Sequence, residues 1–212
     1  MVKHPSKVAR PAPSPNDKPA RAWQRMLSGR RLNLVEPSPL DIEIDDVALG
    51  LSRVARWNGQ TKGDHAFSVA QHSVLVLDLL CEREQRANDR LRLAALLHDS
   101  SEFVTADLIT PFKAVIGESY KTIEHAVQAA VNVRFGLPAE LPAEWRIAIK
   151  RADRDAAFLE AIQLAGFEEA EARRVFAYRR PRPARRLRPL PPEDARRMFL
   201  DKFNFLTLGA GR

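Results

Sequence analysis

The stretch "LLHDSSEFVTADLITPFK", residues 96–113, sets an imidazole beside a carboxylate at the end of an apolar run, with Glu102 and Asp107 close behind. Burying an unpaired charge costs several kcal/mol, so an acid-rich segment entering a core needs a cation, a partner or water there. Upstream, Leu91, Ala94, Ala95, Leu96 and Leu97 form a broad apolar surface, which predicts a central helix from about Asp89 to Val104. On that helix His98 and Asp99 point about 100° apart and can converge on one ion. Glu102, four residues after His98, shares its face and can approach the ion's outer shell.

Two ligands do not complete a catalytic metal site, which commonly takes three or four from the protein. His72 in "SVAQHSVLV" offers a third and Asp153 in "IAIKRADRDAAFLEA" a fourth, each on an otherwise apolar helical pattern. Taken singly, His72 reads as a hydrogen-bonded core histidine, and Asp153 as a partner of Lys150 or Arg154 on its own helix. Of the other histidines, His4 lies in the N-terminal tail. His65 stands seven residues before His72, and His125 alone lies between the His-Asp pair and Asp153.

The surrounding pattern is predominantly α. Asp64 is placed to cap a helix from about His65 to Cys81, and further helical patterns cover about Ile44 to Arg56, Glu118 to Phe135, and roughly 142–165, 167–178 and 192–206. Gly136, Pro138, Gly166 and a Pro-rich basic stretch separate the later ones. Residues 22–43 predict a short helix and a loop broken by Pro37 and Pro39, and the alternation of acids and aliphatics from Asp41 to Asp46 suggests a short strand. Neither an internal repeat nor a βαβ rhythm is present.

At 212 residues the chain suits one domain over about 21–206, with a flexible Pro-rich tail over 1–20 and a C-terminal tail over 207–212. No apolar run is long enough for a membrane span and the N-terminus lacks a signal pattern, so a cytoplasmic protein without membrane contact is expected. Single Cys81, at helical spacing among leucines, reads as a core residue. A charge of +7 is concentrated in 173–197. That stretch lacks an aromatic ladder, a Gly-rich loop or a nucleic-acid module, so a solvated connection is favoured over nucleic-acid binding.

The pattern H...HD...D, with intervals of about 26 and 54 residues, resembles the HD-domain metal-dependent phosphohydrolase superfamily. "RW" at Arg56 and Trp57, "AQHS" around His72, "LHDSSEFVTADLITPFK", "YKTIE" from Tyr120 and "KRAD" ending at Asp153 are similar, in order and spacing, to its 5'-deoxynucleotidase branch over roughly 50–160. The resemblance implies an HD-type helical bundle in which His72, His98, Asp99 and Asp153 hold one divalent ion. It implies that Glu102 and Asp107 face the phosphate and the attacking water, with Glu102 assigned to proton transfer and Asp107 to orienting water, roles that are exchangeable. Arg56 resembles a phosphate clamp and Trp57 a residue packed near the sugar; His65 and Lys113 are further substrate-contact candidates.

Two imidazoles and two carboxylates suit Mn, Fe, Co, Ni or Zn, and Mg is also considered. The expected activity is removal of phosphate from nucleoside 5'-monophosphates, deoxynucleotides above all. The alternatives are a deoxynucleoside triphosphohydrolase and a noncatalytic nucleotide- or nucleic-acid-binding HD module. Phe103 stands where alarmone hydrolases resembling "HDxxED" carry a second acid, which argues against that reaction. A homodimer is expected from the family alone, and "MFLDKFNFLTL" near the C-terminus reads as core packing before it reads as an interface.

Overall fold

The computed structural model describes residues 22–109, 115 and 117–208. Both tail expectations, except for residues 207 and 208, and Lys113 lie outside the described residues. Helices dominate, as the periodicity predicts. In chain order they are α1 (Ile44–Arg53), α2 (Val69–Arg83), α3 (Asp89–Leu96), α4 (Glu102–Thr105), α5 (Glu118–Arg134), α6 (Ala143–Gln163), α7 (Glu169–Val175) and α8 (Pro192–Leu208). No helix among the described residues is long and apolar enough to cross a membrane.

The centre of the bundle is α2, which packs against α1, α3, α6 and α8. It is buried on every side from Val69 to Leu77, because apolar residues and small polar ones alternate around its whole circumference rather than along one stripe. Its start differs from the expected one. Residues 66–68 run extended beside 54–56, with Arg56 N donating to Phe67 O and Val69 N to Val54 O. The helix therefore begins only at Val69, where Ser68, not Asp64, accepts from Gln71 N. This short pairing sets Arg56 beside the entry to α2.

Two further expectations are corrected near the N-terminus. Trp23–Arg25 and Arg31–Asn33 form an antiparallel hairpin, β1 and β2, in place of the short helix. Leu32 is wholly buried between exposed neighbours, the period-two pattern of a strand, and Gly29 at φ 92 supplies the left-handed turn position. Asp41 to Asp46 is no strand: a 3-10 turn over Pro39–Asp41 leads into α1. Asp45 and Asp46 then lie in the first turn of α1, where backbone N–H groups favour negative charge, and Asp46 also accepts from Ser28 N of the hairpin.

The expected continuous helix from Asp89 to Val104 is interrupted. Leu96 ends α3, and residues 97–101 turn with bonds three residues apart: Ser100 N to Leu97 O, Glu102 N to Asp99 O and Phe103 N to Ser100 O. Three-residue winding sets Glu102 one turn above Asp99 rather than above His98. The re-entry as α4 is pressed against α1 at Gly50, where a Cβ would stand 2.7 Å from Phe103 Cβ and 2.9 Å from its carbonyl oxygen.

The basic stretch is not merely solvated. Gln163 Nε2 donates to Arg185 O and its Oε1 accepts from Leu187 N; Gln71 repeats the arrangement with Arg188 O and Leu190 N. Arg185 is paired with Asp78 and Glu82, and Arg180 with Asp155. The arginines partly serve to strap this segment across α2 and α6. At the end of the chain, α8 places Phe199, Phe203 and Leu206 in the core and leaves Phe205 and Leu208 exposed; it runs through Leu208, past the expected start of a tail at 207.

Gly50→Ala would gain helix propensity of about 1 kcal/mol but force α1 and α4 apart against backbone as well as side chain, which puts the cost at about 2–3 kcal/mol, the upper part of the overpacking range. A net loss of stability is expected, with thermal unfolding followed by circular dichroism falling by roughly 2–8 °C for a chain of this size. A variant that unfolds at or above the wild-type temperature would contradict the close approach.

Candidate metal centre

Four side chains from three parts of the chain converge. His72 comes from the middle of the first half of α2, His98 and Asp99 from the turn after α3, and Asp153 from α6. His72 Nε2 lies 3.5 Å from Asp99 Oδ2 and 3.4 Å from Asp153 Oδ1, and His98 Nε2 lies 3.2 Å from Asp99 Oδ2. Donor atoms of His72, His98 and Asp153 all fall within 4.8 Å of one another. Ligands bound at about 2.1 Å to one ion stand roughly 3–4 Å from each other, so the 3.2–3.5 Å separations are compatible with a shared cation.

The imidazole chemistry fits as well. His72 Nδ1 is 2.6 Å from Glu160 Oε1, and His98 Nδ1 is 2.9 Å from the Ala95 carbonyl oxygen. A carbonyl and a carboxylate only accept, so both rings carry their proton on Nδ1 when neutral and turn an Nε2 lone pair inward. Among the described residues neither buried Nε2 makes a hydrogen bond. Two inward lone pairs flanked by two carboxylates are a donor set for a divalent metal ion, each imidazole oriented from behind.

Burial and the nearby Arg56 oppose protonation of His72, but Glu160, Asp153 and Asp99 outweigh them and hold its pKa well above the ordinary histidine value. For Asp99, burial raises the carboxyl while His98 and His72 pull it well below its usual range; His72 does the same to Asp153. The field that favours a proton here favours any cation. His72 is completely buried, whereas the side chains of Asp99 and Asp153 keep 27% and 18% of their exposure, so the centre opens on its carboxylate side. Lys150 Nζ sits at that rim, 2.7 Å from Asp153 Oδ2, as the plainer reading of Asp153 anticipates; that carboxylate's other oxygen still faces His72.

Arg56 and Trp57 reach the same centre through Glu160, a residue the sequence reading missed. Glu160 is fully buried, and its Oε2 accepts from Arg56 Nε at 3.2 Å and from Trp57 Nε1 at 2.9 Å. Burial raises its carboxyl, but Arg56, His72 and Trp57 hold it below the usual value. One signal was available: Glu160 follows Asp153 by seven residues, two helical turns along the same face, inside the apolar run "AAFLEAIQLA". Arg56 also donates from Nη1 to Asp107 Oδ2 at 3.0 Å. Burial works against its charge, yet Glu160, Asp107, Asp99 and Glu102 raise its pKa, so it remains a guanidinium. Trp57 packs its ring against Phe167 and Phe176.

Glu102 is buried at the start of α4, and its charge is felt by Arg56. His65 is exposed on the loop before α2, not two turns below His72, and lines a separate surface cavity of about 280 Å³ with Asp64 and Pro192. His125 is likewise exposed and pairs with Glu140.

This architecture is that of a helical phosphohydrolase, and the chain belongs to the family described as 5'-deoxynucleotidase YfbR-like, which it matches over residues 49–175. It is 54% identical over 188 residues to an uncharacterised protein of Rhodobacter capsulatus, covering 88% of this chain and 96% of that one. It is 28% identical to the uncharacterised YfdR of Escherichia coli, over 86% of this chain and 94% of the other. A 5'-deoxynucleotidase of Pasteurella multocida is 31% identical over 106 residues, 45% of this chain and 53% of its own.

The raised pKa of His72 has a signed consequence for metal-free protein. Its stabilising contribution is complete below the unfolded value of 6.5 and is lost as pH rises through the higher folded value. Metal-stripped protein should therefore lose thermal stability as pH rises from 6.5 upward, and added Mn²⁺ or Zn²⁺ should restore it at the alkaline end. Differential scanning calorimetry across that range checks this; a metal-free melting temperature that rises with pH would contradict it.

Proposed function

We propose that the protein is a metal-dependent phosphomonoesterase that removes phosphate from nucleoside 5'-monophosphates, with deoxynucleotides as the preferred class. The observation that carries the proposal is the pair of oriented imidazoles facing Asp99 and Asp153, with the Arg56 guanidinium tied to the same cluster by Glu160. The name of the Pasteurella relative supports the substrate class.

His72, His98, Asp99 and Asp153 would hold one divalent ion, which when bound supplies Lewis-acid polarisation of a phosphoryl oxygen and a lowered pKa for water. Arg56 spends Nε and Nη1 on Glu160 and Asp107, and its remaining donors are assigned to phosphate oxygens, for which a planar guanidinium is suited. Asp107, anchored through one oxygen by Arg56, is assigned to accept a hydrogen bond from the attacking water and orient it in line. Glu102 is assigned to deliver a proton to the 5'-oxygen as the phosphorus–oxygen bond breaks. The indole N–H of Trp57 is occupied by Glu160, so Trp57 presents only ring surface to a nucleoside.

Phosphate release from a panel of deoxyribonucleoside and ribonucleoside 5'-monophosphates and triphosphates, after metal stripping and reconstitution with Mn, Co, Zn or Mg, tests this reading. Turnover of monophosphates only with metal is expected. Glu102→Ala should lower kcat by about 10²–10⁴ while metal content, measured in parallel, is retained. Turnover of triphosphates alone would move the assignment to a nucleotide triphosphohydrolase, and silence across all reconstitutions would favour a binding module.

A further inference from the structure

All three groups that face Glu160 are donors. His72 Nδ1 meets Oε1 at 2.6 Å, while Arg56 Nε and Trp57 Nε1 share Oε2 at 3.2 and 2.9 Å. The carboxylate is fully enclosed, so water cannot replace any of these contacts cheaply. Its two oxygens thus divide between two functions: one orients an imidazole of the metal cluster, the other holds the arm assigned to the phosphate. That arm needs holding, because Trp57 and Asn58 sit at φ 56 and φ 51, a left-handed conformation that residues with side chains seldom adopt without support. The indole is wedged against Phe167 and Phe176, and its N–H on Glu160 sets its rotation.

We infer that Glu160 is a positioning residue that couples occupancy of the metal centre to the placement of Arg56 and Trp57. The inference rests on the metal-dependent reading above. His72, held at Nε2 by an ion, would keep its Nδ1–H on Oε1 of Glu160, and the same carboxylate would then hold the guanidinium and the indole through Oε2. Without the ion, His72 Nε2 faces only the carboxylates of Asp99 and Asp153 at 3.5 and 3.4 Å, a looser hold than a metal bond, and the constraint on Glu160 and the arm is weaker. Metal and phosphate ester are then bound by one linked unit, so the clamp is set before the substrate arrives.

An amide cannot do this. Glu160→Gln keeps the volume but offers one acceptor oxygen and turns an NH₂ group towards a donor, so it breaks with either His72 or the Arg56–Trp57 side. The test uses the full-length metal-stripped protein, labelled with ¹⁵N, and Zn²⁺ as probe. The indole N–H resonance of Trp57, assigned by its loss in Trp57→Phe, should shift in step with Zn²⁺ binding measured by calorimetry. In Glu160→Gln, with the other indole resonances unchanged, Zn²⁺ should bind about 10–100-fold more weakly and the Trp57 resonance should no longer follow it. If Glu160→Gln does not fold, Glu160→Asp replaces it, since it retains the charge but is one methylene short of spanning both partners. Zn²⁺ binding to wild type with an unmoved Trp57 resonance, or equal affinity in the variant, would overturn the coupling and leave the metal centre standing. Absence of Zn²⁺ binding to wild type would overturn both.

Discussion

The structure is organised around the bond between two fully buried groups, His72 and Glu160, at the crossing of α2 and α6. A carboxylate without water must be surrounded by donors, and an imidazole beside it must put its proton on the near nitrogen. Those two requirements set the rest of the site. The first draws in Arg56 and Trp57 from the turn after α1; the second turns Nε2 of His72 toward Asp99 and Asp153. The crossing of α2 and α6 places this polar contact where both groups are wholly enclosed.

Charge explains why such a site calls for a cation. Asp99, Asp153, Glu160, Asp107 and Glu102 all act on His72 or Arg56, whose guanidinium is the permanent positive charge among them, with Lys150 at the exposed rim. Carboxylates collected at this density in a buried setting repel one another strongly unless a proton or a metal ion offsets them. Acids that look extravagant in "LLHDSSEFVTADL" are therefore consistent with one another once the site is seen as built for positive charge.

Most of the bundle and four of the clustered side chains were legible in the chain. Helical periodicity marked α1, α2 and α5 to α8 to within a few residues and the start of α3, and His98 and Asp99 stood out as polar groups ending an apolar run, whereas His72 and Asp153 were singled out by a spacing that resembles the phosphohydrolase superfamily. The misreadings share a cause. The hairpin over 23–33, the delayed start of α2 at Val69 and the break between α3 and α4 are short segments whose conformation depends on what they touch: Leu32 on the core, Phe67 on Arg56, Phe103 on Gly50. Local pattern carries too few residues there to outweigh tertiary contacts. His65 was misplaced for the same reason, as its helix was started one turn too early.

By itself the sequence determined a helical class, the family, and the set of metal-binding candidates, because each follows from residue type and spacing along one chain. Only the tertiary structure decided that Glu160 stands behind His72, that Arg56 and Trp57 hang from it, and that Glu102 rides above Asp99 and not His98. Those facts depend on how α2, α6 and the 54–57 turn cross one another. Residues about ninety positions apart meet through packing and hydrogen bonds that no local periodicity encodes.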